Sequence, residues 1–191
     1  MNAFIKAGED LEPTKLARLS IIREYIKDAL ALLKTVRDDV VKKRTKSPQN
    51  LERLTQRYLQ DNNAYFSENN VKVFATSVGN MQCVVDPGDI KAILNNLTTN
   101  AVKSLVKITD RPRELRFELY RTDRFIIIKC TDNGIGIPEE DRERIFDPFQ
   151  STTDGFGLGL TIIDEIAKEY SGALELIDTA VGACFLVKMR C

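Results

Sequence analysis

The sequence predicts an α+β fold, a two-layer α/β sandwich in which helices cover one face of a mixed, mostly antiparallel sheet, with an N-terminal helical extension. Two patterns support this prediction. β-rich runs come in pairs separated by short turns, which is typical of antiparallel hairpins, and amphipathic helical segments lie between the pairs. Strands and helices do not alternate one by one, as they would in a parallel fold.

Composition and charge are those of an ordinary folded protein. The chain has 191 residues, of which 43% are hydrophobic and 29% charged, enough for one domain and an appended segment. Its 28 basic and 28 acidic residues give no net charge, which excludes nucleic-acid binding through a global basic surface. Because neither a membrane-length apolar run nor a secretory signal occurs, we expect no membrane contact from this chain and a cytoplasmic location.

Cysteine and histidine usage restricts the available chemistry. The cysteines are Cys83, Cys130, Cys184 and Cys191. They include no Cys-x-x-Cys pair, and three of them lie in apolar strand-like runs, so we expect buried, reduced thiols. Histidine is absent, which excludes histidine general bases, histidine-containing triads and histidine metal ligands.

Residues 1–67 form the predicted helical extension. Within residues 19–40, apolar side chains recur at alternating gaps of three and four, the pattern of a long helix with a narrow apolar seam. The seam either packs against a sheet of the same chain or joins a second copy in a homodimer. Ser47 and Pro48 indicate the cap and first residue of a second helix, which we expect to begin near residue 48.

Residues 68–191 form a second predicted domain. Alternating apolar residues predict its strands, and apolar residues at helical spacing predict its helices. In chain order we expect strands over 71–78 and 81–86, a helix over 89–107, a hairpin over 114–120 and 124–132, a helix over 158–170, and a closing hairpin around Gly182.

A pair of asparagines marks the predicted helix over 89–107. Asn96 and Asn100 are four residues apart and therefore share a face, and Lys103 lies three residues further on. An amide oxygen is a hard ligand of the kind that Mg²⁺ accepts beside water and phosphate oxygens. The alternative is that both amides are partly exposed or bonded to a neighbouring loop.

A carboxylate and two glycines follow the strand over 124–132. Asp132 stands at the strand end, and Gly134 and Gly136 allow backbone conformations and close approaches that a side chain would forbid. A carboxylate beside a glycine-lined slot accepts a hydrogen bond from an exocyclic amine such as that of adenine. The alternative is a turn that needs two glycines.

A second glycine-rich motif precedes the helix over 158–170. Gly155, Gly157 and Gly159 alternate with apolar residues, and backbone N–H groups at such a helix start bind phosphate oxygens. The motif is neither a Rossmann fingerprint nor a P-loop. The alternative is a flexible hinge.

The segment between the two glycine motifs has the composition of a lid. Phe146 and Phe149 flank Pro148, and the hydroxyls of residues 151–153 follow. A loop that closes over phosphates excludes water and completes a site. The alternative is an ordinary surface loop held by two phenylalanines.

The order of these elements is more specific than any one of them. An asparagine helix, Asp-x-Gly-x-Gly after a strand, Phe-x-Pro-Phe in a loop and Gly-x-Gly-Leu-Gly-Leu before a helix resemble the N, G1, F and G2 boxes of the histidine-kinase ATP-binding domain. That family also includes DNA gyrase, mismatch-repair ATPases and the ninety-kilodalton heat-shock chaperones. The resemblance covers residues 68–191.

The resemblance implies a role for each matching residue. Asn100 would coordinate a Mg²⁺ ion that bridges the phosphates of ATP, Lys103 would contact a phosphate, and Asp132 would bind the adenine amino group. Asn96 and Lys103 are the implied catalytic residues. The implied cofactor-binding residues are Asn100, Lys103, Asp132, Gly134, Gly136, Ile137, Phe149, Thr152, Gly155, Gly157, Leu158, Gly159 and Leu160.

Some positions depart from the family pattern. Asn96 is an amide where gyrase-like relatives have a glutamate that activates water, and this disfavours hydrolysis. Thr153 stands where the nitrogen-sensor type of kinase has a lysine, and Ala183 stands where a threonine assists adenine binding.

The resemblance implies an ATP- and Mg²⁺-binding catalytic domain of a two-component sensor kinase. Because the chain has no histidine, the phosphate acceptor would lie on another domain or protein, and a response regulator would be the indirect partner. Three alternatives remain: the chain is a catalytic fragment, it acts in trans, or the kinase activity has been lost. The rival functions are a nucleotide-switched interaction module and a slow ATP hydrolase.

Overall fold

The computed structural model describes residues 45–147 and 158–191. The residues from Thr45 to Cys191 belong to one compact unit. The predicted helix over 19–40, with its dimer seam, lies outside the described residues, as do residues 148–157 of the predicted lid.

Short strands and helices make up the described part of the chain. No helix in that part is long and apolar enough to cross a membrane. In chain order the elements are β1 (Ser47–Asn50), α1 (Leu51–Asp61), α2 (Asn63–Glu68), β2 (Val71–Val78), β3 (Gln82–Val85), α3 (Pro87–Leu105), β4 (Arg113–Arg121), β5 (Phe125–Asp132), a 3₁₀ turn (Glu139–Asp141), α4 (Gly159–Glu169), β6 (Ala173–Ile177) and β7 (Ala183–Arg190).

A five-stranded sheet forms one layer of the sandwich. Its strand order is β2-β4-β5-β7-β6, with β2 parallel to β4 and the other neighbouring pairs antiparallel. β1 and β3 form a separate antiparallel pair. The predicted mixed, mostly antiparallel sheet is therefore confirmed, together with the predicted β4–β5 and β6–β7 hairpins.

The helices pack on one face of this sheet, as predicted. α1 and α4 both contact α3, which in turn contacts β4 and β5. Ile93 and Leu94 of α3 are fully buried in the core that they share with Phe117 and Ile128 of the sheet. Burying one such side chain stabilises a fold by about 1.5–3 kcal/mol, so the core fixes the helix that carries the predicted asparagines.

The compact unit begins before residue 68, where the sequence analysis placed the domain boundary. Leu51, Tyr58 and Phe66 are buried in the same core as α3, so α1 and α2 belong to this unit. β1 also pairs with β3, although two helices and β2 lie between these strands in the chain. Local sequence patterns do not reveal such pairing, because the paired residues are far apart in the chain.

The first described helix begins at Leu51, and the prediction of a helix start near residue 48 is wrong. Pro48 instead lies in β1, opposite Val84. A proline is tolerated there because a two-stranded pair consists of edge strands. Asn50 is the actual cap, since its side chain accepts the Arg53 N–H at 3.0 Å.

Two of the four cysteines are joined, which corrects the expectation that all four are reduced thiols. Cys83 of β3 and Cys191 after β7 form a disulfide with Cα atoms 5.1 Å apart. Their separation of 108 residues gives no local signal of the pairing. Cys130 and Cys184 are free and buried, as expected, and burial raises the pKa of the Cys130 thiol.

We expect the Cys83–Cys191 disulfide to stabilise the fold, because it closes a loop of 108 residues in the unfolded chain. Reduction with dithiothreitol should lower the free energy of unfolding in urea by about 2–4 kcal/mol. The Cys191→Ser variant is the control and should show the lower stability with or without reductant. Equal stability of oxidised and reduced wild-type protein would contradict the prediction.

Candidate functional site

Helix α3 begins at a defined cap and carries the predicted asparagines. The Asp86 carboxylate accepts the Gly88 N–H at 2.7 Å, and Pro87 occupies the first turn. The apolar side of the helix is buried in the core. Asn96 and Asn100 are left half-buried.

The asparagine pair faces the first residue of α4. A Cβ atom built on Gly159 would lie 3.0 Å from Asn96 Oδ1 and 3.8 Å from Asn100 Nδ2. The Asn96 side chain also donates from Nδ2 to the Ala92 carbonyl at 2.9 Å. The fold therefore brings residues of the first and last motifs together.

Asp132 is a buried carboxylate at the end of β5, with 5% of its surface exposed. The Gly134 N–H donates to its Oδ1 at 2.9 Å, and the Ala183 N–H and the Ser104 hydroxyl also hydrogen-bond to it. Burial raises the pKa of Asp132 from 3.8 to about 6, while these three hydrogen bonds favour the ionised form and oppose the rise. The carboxylate is therefore ionised at neutral pH and can accept a hydrogen bond from a ligand.

The turn after Asp132 is tied to the chain that enters β4. The Asn133 side chain accepts the Glu114 N–H at 2.8 Å and donates to the Pro112 carbonyl at 2.8 Å. The Arg111 guanidinium donates to the carbonyl of Asn133 at 2.9 Å and to the next carbonyl along the chain at 3.1 Å. These contacts hold the turn in place without help from a ligand.

Glycine is required at two positions of this turn. A Cβ atom on Gly134 would lie 2.1 Å from Ser104 Oγ, closer than two unbonded atoms can approach. Gly136 has a left-handed φ of 75°, and a Cβ atom there would lie 2.9 Å from the Gly182 carbonyl oxygen. The turn thus has the close backbone approaches that the sequence predicted.

The other predicted site residues fall into two groups. Ile137 and Leu160 are partly buried against the core, Leu158 immediately precedes α4, and Lys103 lies in the last turn of α3. The rest lie outside the described residues, and their roles stay predictions: Phe149, Thr152, Gly155 and Gly157.

Sequence reasoning missed several polar contacts that shape the site. The Tyr170 hydroxyl, just after α4, donates to Asp89 Oδ2 at 2.8 Å and accepts the Asp86 N–H at 3.0 Å. Burial is the main cause that raises the pKa of Tyr170, so the phenol stays protonated as a donor. Ser104 and Arg111 were missed because neither belongs to a recognisable motif.

Comparison with known proteins agrees with this geometry. Residues 85–191 match the family described as "Histidine kinase-, DNA gyrase B-, and HSP90-like ATPase". The chain belongs to this family. The matched segment contains α3, β5 and α4, which carry the described motif residues.

Individual relatives extend the comparison. The adaptive-response sensory kinase SasA of Prochlorococcus marinus (strain MIT 9303) is 27% identical over 179 residues, covering 88% of this chain and 46% of SasA. The catalytic domain of histidine kinase ThkA has the same fold, with a TM-score of 0.67 and 24% identity over 75% of this chain and 96% of that domain. ThkA in complex with the response regulator protein TrrA matches with a TM-score of 0.66 and 20% identity, over 99% of this chain and 56% of ThkA. The chain spans less than half the length of the curated relatives it matches.

The buried carboxylate predicts a pH dependence of stability. Because the pKa of Asp132 rises from 3.8 to about 6 on folding, ionising it in the folded protein costs about 3 kcal/mol. The stabilisation by the protonated form is present below the unfolded pKa and is lost as the pH rises through the folded pKa. Without nucleotide, the Asp132→Asn variant should therefore gain stability relative to wild type as the pH rises from about 3.8 to about 6, and should gain little more above that. Urea unfolding at each pH measures this, and a constant difference across the range would contradict it.

Proposed function

We propose that this chain is the ATP- and Mg²⁺-binding catalytic domain of a sensor histidine kinase. Its reaction transfers the γ-phosphoryl group of ATP to a histidine outside this chain. The observation that carries the proposal is the buried Asp132 carboxylate beside a glycine turn, with Asn96 and Asn100 facing the start of α4. Family membership supports ATP as the ligand, and the similarity to the sensory kinase SasA supports the kinase role.

Adenine recognition is assigned to the end of β5. An ionised Asp132 accepts a hydrogen bond from the exocyclic amine, and a hydrogen bond to a charged group contributes about 1.5–3 kcal/mol. The turn through Gly134 and Gly136 packs too closely against Ser104 and Gly182 to accept a side chain at either position, and this holds the backbone next to the carboxylate. Ile137 adds a partly buried apolar side chain next to this turn.

Phosphate binding is assigned to the gap between α3 and the start of α4. α4 has no side-chain cap, so its first backbone N–H groups can donate to phosphate oxygens. Within the described residues, no group of three or more thiol or carboxylate side chains could hold a metal ion. From the family resemblance, Asn100 would offer its amide oxygen to Mg²⁺, which neutralises phosphate charge, and Lys103 would contact a phosphate.

The transfer step depends mainly on positioning and electrostatics. An imidazole nitrogen of the acceptor attacks the γ-phosphorus, the bond from that phosphorus to the bridging oxygen of ADP breaks, and the imidazole proton passes to solvent. Asn96 is an amide whose Nδ2 already bonds to the Ala92 carbonyl, so it cannot act as a base for water. This supports phosphoryl transfer over hydrolysis.

The proposed partners follow from this reaction. A histidine-bearing domain or protein receives the phosphate, and a response regulator acts downstream, as the complex of ThkA with TrrA suggests by analogy. Residues 19–40 remain the proposed homodimer seam, and neither nucleic acid nor membrane is a proposed partner. Because ATP is the substrate, the cytoplasm is the proposed compartment.

A nucleotide-switched interaction module is the second candidate function. The complete absence of histidine favours it, since the chain cannot phosphorylate a histidine of its own. In that case ATP would bind in the same pocket and no phosphate would be transferred.

The adenine assignment predicts a loss of affinity in Asp132→Asn. Calorimetric titration with a non-hydrolysable ATP analogue and Mg²⁺ should show binding weakened by about 10-fold to 100-fold, because one charge-assisted hydrogen bond is lost. Asp123→Asn, an exposed substitution in the β4–β5 turn, is the matched control and should bind like wild type. Equal affinity of the Asp132→Asn and wild-type proteins would remove Asp132 from the adenine site.

The kinase assignment predicts phosphate transfer to a supplied acceptor. With γ-labelled ATP, Mg²⁺ and a purified histidine hairpin from a sensor kinase, the chain should produce an acid-labile phosphohistidine. Asn100→Asp should slow the reaction by about 10-fold or more, because it adds a negative charge beside the phosphates. Asn95→Asp, exposed on the same helix, should leave the rate unchanged.

The outcomes of this assay separate the candidates. Tight ATP binding without transfer would favour the interaction module. Phosphate release without an acceptor would favour the slow hydrolase.

A further inference from the structure

The hydroxyl of Ser104 contacts the carboxylate of Asp132 next to Gly134, in the turn that follows β5. Ser104 lies in the last turn of α3, and its Oγ accepts the Ile135 N–H at 3.1 Å. Its hydroxyl also hydrogen-bonds to the Asp132 carboxylate. A Cβ atom on Gly134 would lie 2.1 Å from Ser104 Oγ and 2.8 Å from Asp132 Oδ1, so both oxygens occupy the side of the turn on which a side chain of residue 134 would stand.

Ser104 differs in kind from the other hydrogen-bond partners of the carboxylate. The N–H groups of Gly134 and Ala183 belong to the backbone and are fixed by the turn and by β7. Ser104 contributes a side chain from a different element, α3, and it reaches Asp132 and the Ile135 N–H at once. One residue therefore couples the helix to both the carboxylate and the turn that follows it.

Few charged groups surround Asp132 among the described residues. Cys130 lies two positions earlier on β5, and its own pKa is raised, so it is a neutral thiol. The Arg111 guanidinium, in the connection between α3 and β4, is engaged with backbone carbonyls of the turn. Lys103 precedes Ser104 in α3. On β7 the partner is a backbone N–H, that of Ala183.

We propose that Ser104 is a positioning residue of the nucleotide site, which keeps Asp132 ionised and oriented so that it selects a 6-aminopurine over a 6-oxopurine. The inference rests on the proposed function of the site and deepens it. An ionised carboxylate only accepts hydrogen bonds and so pairs with an exocyclic amine. A protonated carboxyl group also donates, and it can therefore pair with the carbonyl of a 6-oxopurine.

Removal of the Ser104 hydroxyl should change the protonation of Asp132. The hydrogen bond from Ser104 lowers the pKa of Asp132, so the Ser104→Ala variant should have a pKa above the wild-type value of about 6. A larger fraction of the carboxyl group is then protonated in slightly acidic solution. ATP should bind more weakly there, whereas in alkaline solution both proteins are ionised and should bind alike.

The test combines nucleotide affinity with a direct titration. Calorimetry with ATP and with ITP, each with Mg²⁺, compares wild type, Ser104→Ala and Ser104→Thr at about pH 6.5 and about pH 8.5. Comparing variants at one pH cancels the titration of the nucleotide itself. In nucleotide-free protein, the NMR shift of the Gly134 amide, which donates to Asp132, reports the carboxylate titration.

We expect Ser104→Ala to bind ATP about 3-fold to 10-fold more weakly than wild type at the lower pH and within about 2-fold at the higher pH. Its preference for ATP over ITP should fall at the lower pH, and the Gly134 titration midpoint should move upward. Ser104→Thr, which keeps the hydroxyl, should restore the wild-type profile. Ser67→Ala, the same substitution on the exposed side of α2, should change neither measurement.

Two results would overturn the inference. The first is a Ser104→Ala titration midpoint at the wild-type value, and the second is an equal loss of ATP affinity at both pH values, which a purely structural role would give. Failure of the proposed function would give a different result, because neither the wild type nor any of the variants would then bind ATP. The titration followed at the Gly134 amide would still test the coupling between Ser104 and Asp132. If Ser104→Ala does not fold, Ser104→Cys, with a weak donor of similar size, takes its place in both measurements.

Discussion

The rest of the site depends on the buried carboxylate of Asp132, which lies at the end of β5 and accepts hydrogen bonds from protein groups. Asp132 accepts hydrogen bonds from the backbone N–H groups of Gly134 and Ala183. These hydrogen bonds only partly offset the cost of burying the charged carboxylate, as the raised pKa of Asp132 shows. Packing in the rest of the fold must supply the free energy that these hydrogen bonds do not. β5 is an inner strand between β4 and β7, so Asp132 cannot retreat toward solvent without breaking hydrogen bonds on both sides. The sheet thus holds a destabilising negative charge at the position proposed for adenine recognition.

The opposite side of the site depends on how α4 is attached to α3. At its far end, α4 is anchored by Tyr170, whose hydroxyl links Asp89 and the Asp86 N–H at the start of α3. At its near end, Gly159 lies directly against the Asn96 side chain, without a side-chain cap. The two helices are therefore held together at one end. At the other end, the first backbone N–H groups of α4 lie near the Asn96 amide oxygen, and this is the position proposed for the phosphates.

The sequence predicts those parts of the molecule that are encoded by neighbouring residues. The strand β5, the turn after Asp132 and the asparagine face of α3 each have a local pattern, and their order identified the family. The β1–β3 pair and the Cys83–Cys191 disulfide join distant residues, so no local pattern marks them. Asp89 is an intermediate case, because its position four residues before Ile93 places a carboxylate on the buried face of α3, a signal that a buried partner such as Tyr170 must exist.

The contacts that sequence reasoning missed fix α3 before any nucleotide binds. β3 leads directly into the Asp86 cap, and Tyr170 holds the first turn of the helix. Ser104 ties the last turn to Asp132. Since both ends of α3 are held, no conformational entropy is lost in ordering this helix when a ligand binds. More of the free energy of the ligand's contacts with α3 therefore appears as binding free energy. Substitutions along this face of α3 should therefore act mainly through lost contacts and altered charge, and less through disorder of the helix.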